Sequence, residues 1–333
     1  MKKVLIVLLL AAMVAPVFAD DAATLPAGVM RTRIIPSLSI VNKVFDDSGE
    51  RVDPDNGAIT LYNLSGAIEY GITDWLTAGV QWTPGWTISG SVEDNDSVDL
   101  SGINDLFVGF KAQVLGPNGL APNQQVRIAV TPGVKIPLSQ YDARAELENA
   151  VGGSEFAPRR TDRGAWGLGG RFALDYFITP DFFINLYNQT SYFLPVTQDI
   201  GFIPPGTDGF PPPPTFMGVA AENVKVEYGI ESIFEIEANY SMPLGNGVNL
   251  GLGLPVTYGM TGERKVNFEP APGVRPFDED SSWILSVGPS VSFFFTSWAL
   301  PMEFELGYTL PIMGENSPAA NTISLQIKNF LRF

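Results

Sequence analysis

The 333-residue chain carries 20 Lys and Arg against 36 Asp and Glu, a formal charge of −16, and contains neither cysteine nor histidine. Those absences exclude a disulfide framework, a thiol nucleophile, a Ser-His-Asp or Cys-His site and an HExxH zinc helix, so no catalytic, metal or cofactor constellation is expected. So acidic a chain is also a poor match for nucleic acid, whose phosphates would repel it.

Reading from the start, Lys2 and Lys3 precede an apolar run from Val4 to Val14 and a small-residue exit at Val17-Phe18-Ala19. This is the pattern of a secretory signal peptide spanning residues 1–19, cleaved after Ala19. Its removal takes away two lysines and no acid, leaving the exported chain more acidic still. Residues 20–29 are then expected to be a short periplasmic segment. No later stretch reaches the roughly 18 to 20 consecutive apolar residues that a transmembrane helix needs.

Beyond residue 29 the dominant period is two, that of a strand with unlike faces. Val126, Ile128, Val130, Pro132, Val134, Ile136 and Leu138 alternate with Gln125, Arg127, Ala129, Thr131, Gly133 and Lys135. Alternation of this kind predicts about twelve strands, near residues 30–45, 58–71, 74–89, 104–115, 124–138, 163–178, 180–195, 224–242, 246–261, 281–296, 299–312 and 320–333. Many are long enough for the roughly 9 to 11 residues with which a tilted strand crosses a membrane. Tight turns such as Gly71-Ile72-Thr73-Asp74 and Leu244-Gly245-Asn246-Gly247 alternate with long polar links such as Ser139 to Asp162 and Thr197 to Asn223. Aromatic residues gather towards both ends of the segments, Trp82, Trp166 and Tyr192 towards the long links and Tyr70, Tyr176 and Tyr240 towards the short turns, as interfacial girdles do.

A secreted β-sandwich also alternates, but its outer face carries large polar side chains. Here the polar face is dominated by Gly, Ser, Thr, Asn and Ala, which suits a crowded, wet interior. The predicted fold is therefore all-β, a transmembrane antiparallel barrel over residues 30–333 with about 12 strands (alternatively 14), short periplasmic turns and long extracellular loops. Internal prolines at 36, 84, 132, 195, 255, 289 and 311 each remove a ladder hydrogen bond and require bulges; Pro84-Gly85 is the expected site of a functional kink.

Three motifs carry a family likeness. Tyr70-Gly71-Ile72-Thr73-Asp74-Trp75-Leu76 is similar to a YGLTD turn, Gly102-Ile103-Asn104-Asp105-Leu106 to a GxGDL strand start, and Val134-Lys135-Ile136-Pro137-Leu138 to a K-x-P strand end. Together they resemble the outer-membrane barrels of meta-pathway phenol degradation, relatives of the FadL-like hydrocarbon and fatty-acid transporters. The resemblance implies uptake of small hydrophobic or aromatic solutes, fourteen strands and an N-terminal plug; the sequence itself counts twelve strands, with about ten residues ahead of the first. The last strand alternates to a terminal Phe333, a pattern similar to the assembly signal of bacterial outer-membrane proteins.

These features point to an exported outer-membrane channel for passive uptake of small solutes, with no enzymatic role. A structural or adhesive barrel acting through its loops, or a general small-solute porin, are the alternatives. An acidic lumen wall is expected from Glu227, Glu231, Glu235, Glu237, Glu303 and Glu305, facing a basic wall of Arg31, Arg33, Lys43, Lys328 and Arg332. The apolar, proline-rich stretch with Phe202, Pro204, Pro205, Phe210 and Pro211 either folds over the mouth or forms an extended cap. Expected partners are outer-membrane lipid, the barrel-assembly machinery, a small-molecule solute, and lipopolysaccharide bridged by divalent cations at acidic loops such as Asp46-Asp47; plain solvation is the alternative role for those loops.

Overall fold

A computed structural model describes residues 21–54, 58–92, 95–98, 102–103, 105–138, 164–201, 219–267 and 280–333. The expected signal peptide and the proline-rich mouth segment with Phe202, Pro204, Pro205, Phe210 and Pro211 lie outside the described residues. No helix occurs among those described.

Twelve strands form the wall. The first six are β1 (Val29–Phe45), β2 (Ile59–Thr73), β3 (Leu76–Val92), β4 (Leu106–Gly116), β5 (Val126–Ile136) and β6 (Gly167–Thr179). They are followed by β7 (Phe182–Phe193), β8 (Glu231–Gly245), β9 (Val248–Thr261), β10 (Ser282–Val287 with Ser290–Phe295), β11 (Met302–Glu315) and β12 (Ser317–Arg332). Each is antiparallel to the next, and β12 returns to β1 in register from Val29↔Arg332 to Phe45↔Ser317. The Phe333 amide donates to Gly28 O at 2.9 Å, completing the seam. A closed cylinder has no edge strand, so backbone N–H and C=O groups are satisfied by neighbours even where lipid offers none.

The polarity of the wall is inverted relative to a soluble protein. On β6, Arg171, Ala173 and Asp175 are buried while Leu168, Phe172 and Tyr176 are exposed. On β12, Ser324 and Gln326 are buried and Ile323 and Leu325 exposed. Side chains of period two thus present an apolar belt outward and a polar lining inward, the arrangement of a barrel that lives in lipid.

One expected strand divides in two. The predicted segment 224–242 contains the end of Val219–Glu227, which pairs with Val196–Gly201 and Lys265–Asn267 in a separate three-stranded sheet at the long-loop rim, and then β8. Val224, Val226 and Val266 form that sheet's own apolar core. The split falls at Gly229, where any β-carbon would collide with the backbone of Gly262. Alternation runs in phase through both pieces, so periodicity alone does not register the break.

Prolines are accommodated as a barrel requires. Between the pairs Leu64↔Trp86 and Gly66↔Trp82, β3 carries two more residues than β2, a bulge at Pro84-Gly85. Gly288-Pro289 interrupts β10, and the register of β11 shifts at Pro311. The tight turns use left-handed backbone, at Gly245-Asn246-Gly247 with φ of 88°, 53° and 73°, and at Asn316 with φ of 49°.

An interior joint spans four strands. Gly79, Gly109, Gly133 and Gly169 are direct cross-strand partners on β3 to β6, all on the lumen face. The Phe107 ring lies in the trough this row leaves, where a β-carbon on Gly133 would strike its Cζ. The Arg171 guanidinium lies over the ring at 3.9 Å from the centroid. We expect Gly133→Val to prevent closure, seen as loss of the compact, heat-modifiable band on a denaturing gel, and Phe107→Ala to cost about 3 kcal/mol in urea unfolding from lipid vesicles.

Candidate functional site

Inward-facing charge in a closed wall has only its neighbours and water to meet, so the lumen is organised by pairing. Arg31 Nε and Nη2 donate to Glu69 Oε2 and Oε1 at 2.6 and 3.0 Å, and Arg33 Nε lies 3.4 Å from the same carboxylate. Lys328 Nζ donates to Glu303 Oε1 and Glu305 Oε2, both at 3.2 Å. Lys135, on β5, reaches Glu231, on β8, at 2.5 Å. These are charge-assisted contacts largely shielded from bulk water, where an unpaired partner would be costly.

This geometry revises the expected opposed walls. Glu303 and Glu305 stand beside Lys328, because β11 and β12 are adjacent and Glu303 is the direct cross-strand partner of Lys328. Glu231 pairs with Lys135, and Arg31 and Arg33 are matched by Glu69; neither Lys135 nor Glu69 was among the expected lumen charges. Three expected members leave the lumen. Glu227 belongs to the rim sheet, where a hydrogen bond from Lys225 holds its carboxyl below the usual carboxylate range. Lys43 sits on a half-exposed bulge and binds Asp53 at 2.6 Å. Arg332 is exposed at the very end of β12. Glu235 and Glu237 remain on the lumen face of β8 with neutral partners, Thr257 Oγ1 at 2.7 Å and Asn239 Nδ2 at 3.0 Å.

Residues 21–27, expected to lie outside the wall, run inside its short-turn end. Both carboxylate oxygens of Asp175 accept from the Ala22 amide, at 3.2 and 3.1 Å. Gln113 Nε2 donates to Ala22 O at 2.9 Å, Lys111 Nζ donates to Asp21 O at 2.7 Å, and Thr77 Oγ1 accepts from the Leu25 amide at 2.9 Å. Ala22 is fully buried against Ala129, Ala173 and Tyr187 of the wall. The segment crosses Gly71 so closely that a β-carbon there would meet the carbonyls of Leu25 and Pro26. The signal available in the sequence was the small, alanine-rich run Asp20 to Ala27, able to thread a crowded interior, together with the Gly71 that follows Tyr70.

What the segment leaves open is a cavity of about 200 Å³ in the short-turn half of the lumen. Arg31, Arg33 and Lys328 line one side and Asn185, Glu237 and Ser290 the other. At the long-loop rim, Asp46 accepts from the Ser48 amide and hydroxyl and from the Glu50 amide, at 2.9, 2.7 and 2.9 Å, which lowers its pKa and gives it a turn-forming role. No grouping of three or more acidic side chains suited to a metal ion occurs among the described residues.

An apolar exterior, a closed ladder and a charged, partly open interior define an integral membrane β-barrel of twelve strands. The chain shares this fold with the COG4313 outer membrane channel from Pseudomonas putida F1, at 16% identity and a TM-score of 0.59, over 95% of this chain and 100% of that one. The Ralstonia pickettii toluene transporter TbuX matches more distantly, at 12% identity and a TM-score of 0.40, over 94% and 92% of the two chains. No protein-family profile and no curated protein matches the sequence. Because residues 21–27 occupy part of the lumen, deleting them should raise single-channel conductance severalfold while the barrel still folds; unchanged current steps in planar bilayers would show that the segment does not obstruct the path.

Proposed function

We propose that this protein is a passive conduit of the outer membrane of a diderm bacterium, through which small solutes diffuse by way of the lumen. The observation that carries the reading is the inverted wall around an open polar cavity of about 200 Å³. Eight strands give an interior filled by side chains and sixteen leave a wide aqueous pore, so twelve suit a narrow path. Full-length likeness to an outer membrane channel supports the same reading. Preference for hydrophobic or aromatic solutes comes from the motif resemblance. The N-terminal segment in the lumen favours a selective path over a general porin, and the open interior favours a conduit over an adhesive scaffold. Outer-membrane lipid around the belt, lipopolysaccharide at the rim and assembly machinery acting on the strand that ends in Phe333 complete the proposed partners.

Charge on the path sets its ionic preference. Arg31 and Arg33 lie against Glu69 and Lys328 against Glu303 and Glu305, whereas Glu235 and Glu237 have neutral hydrogen-bond partners and add negative charge to this side of the lumen. Refolded protein in planar bilayers under a KCl gradient should show a reversal potential on the cation-selective side, and Glu235→Gln combined with Glu237→Gln should move it towards zero. Absence of conductance steps from the refolded wild type would overturn the conduit.

A further inference from the structure

Asn185 and Gln326 are completely or almost completely buried, at 0% and 1% exposure, and both line the lumen cavity. Their amide orientations are fixed by carboxylates: Asn185 Nδ2 donates to Asp175 Oδ1 at 2.7 Å and Gln326 Nε2 to Glu305 Oε2 at 2.8 Å. Each therefore turns its carbonyl oxygen the other way, and neither oxygen has a hydrogen-bond partner. The same cavity is lined by Glu237, whose one direct partner is neutral, and by the hydroxyl-bearing Ser290 and Ser292. Its lining includes the aromatic Phe183, stacked on Phe177 at 4.9 Å between ring centroids.

The cations on the cavity wall do not supply the missing donors. Arg31 donates to Glu69 and Lys328 to Glu303 and Glu305, while Arg33 Nε, 3.4 Å from the Glu69 carboxylate, makes no hydrogen bond. On the residues that line the space, the buried polar atoms without a hydrogen bond are mostly acceptors, Asn185 Oδ1, Gln326 Oε1 and Asp21 Oδ1 against the donor Arg33 Nε, and Glu237 adds a carboxylate whose hydrogen-bond partner is neutral. Buried acceptors without donors are costly, and a buried carboxylate whose hydrogen bonds come from neutral groups adds to that cost. A ligand that satisfies this set brings several N–H donors and a positive charge on one atom, with a carbon skeleton to set against Phe183. We infer that the lumen cavity is a binding station for solutes bearing a primary ammonium group, held by Glu237, Asn185 Oδ1 and Gln326 Oε1. The inference rests on the conduit reading and deepens it, naming the head group that the path selects.

Calorimetry on the full chain folded in detergent, with benzylammonium chloride, benzyl alcohol and sodium benzoate as probes of one size and shape, tests it. Benzylammonium should bind, benzyl alcohol at least about tenfold more weakly, and benzoate not at all. The isosteric Glu237→Gln should weaken benzylammonium about tenfold or more, and Gln326→Leu should weaken it by a smaller factor, with folding of each variant checked by its heat-modifiable gel band. No benzylammonium binding, equal binding of the three probes, or undiminished binding in both folded variants would overturn the station. Parallel bilayer recordings separate the two readings. Ion conductance without amine binding removes the station and leaves the conduit, whereas absence of conductance removes both.

Discussion

Everything in this molecule follows from the seam between β1 and β12. A sheet left open in hydrocarbon would expose a row of amides and carbonyls with no partner, each costing several kcal/mol. Pairing from Val29↔Arg332 to Phe45↔Ser317 removes that edge. Closure then dictates where polarity goes: with lipid outside, alternate side chains along each strand are either apolar and outward or polar and inward. Lys111, Arg171, Asp175 and Glu235 are buried because the cylinder gives them nowhere else to point.

The inward charges answer to a second constraint, that they meet across adjacent strands before they meet across the lumen. Neighbouring strands lie about 4.8 Å apart, whereas a twelve-stranded barrel is several times wider. Lys328 between Glu303 and Glu305, and Arg31 with Arg33 around Glu69, are lateral pairs of this kind. A field across the lumen survives where lateral pairing leaves a remainder, as at Glu235 and Glu237, whose hydrogen-bond partners are neutral. The glycine row Gly79-Gly109-Gly133-Gly169 obeys the same geometry with the opposite outcome: side chains are omitted so that Phe107 can lie against the wall rather than project across the space.

The wall was largely legible from the chain because period-two alternation is a local signal, repeated at every strand, and the tight turns announce themselves through Gly, Asn and Asp. The expected strand 224–242 failed for a physical reason: Val226 packs in the rim sheet and Ile236 faces lipid, yet both are apolar at even positions. The charge map was less legible. Glu303 next to Lys328 was deducible from the adjacency of the last two strands, given the register. Lys135 with Glu231 was not, since β6 and β7 lie between β5 and β8 and the contact depends on long side chains spanning them. The lodging of residues 21–27 depends on backbone groups of the segment meeting Lys111, Gln113 and Asp175, and backbone groups leave no mark in sequence.

That lodging divides the interior unequally. The segment is held by residues of β3, β4 and β6, the side that also carries the glycine row and Phe107. The open cavity therefore falls against β1, β7, β8 and the last strands, where the surplus carboxylate and the unpartnered amide oxygens are. A symmetric barrel would offer a solute any course along its wall. Here one side is narrowed by the chain's own first residues, anchored through groups that would otherwise be buried without partners, and the larger of two cavities lies against the other side. Two independent economies of hydrogen bonding, one satisfied by the N-terminal segment and one left open, set this cavity of about 200 Å³ on one side of the cylinder.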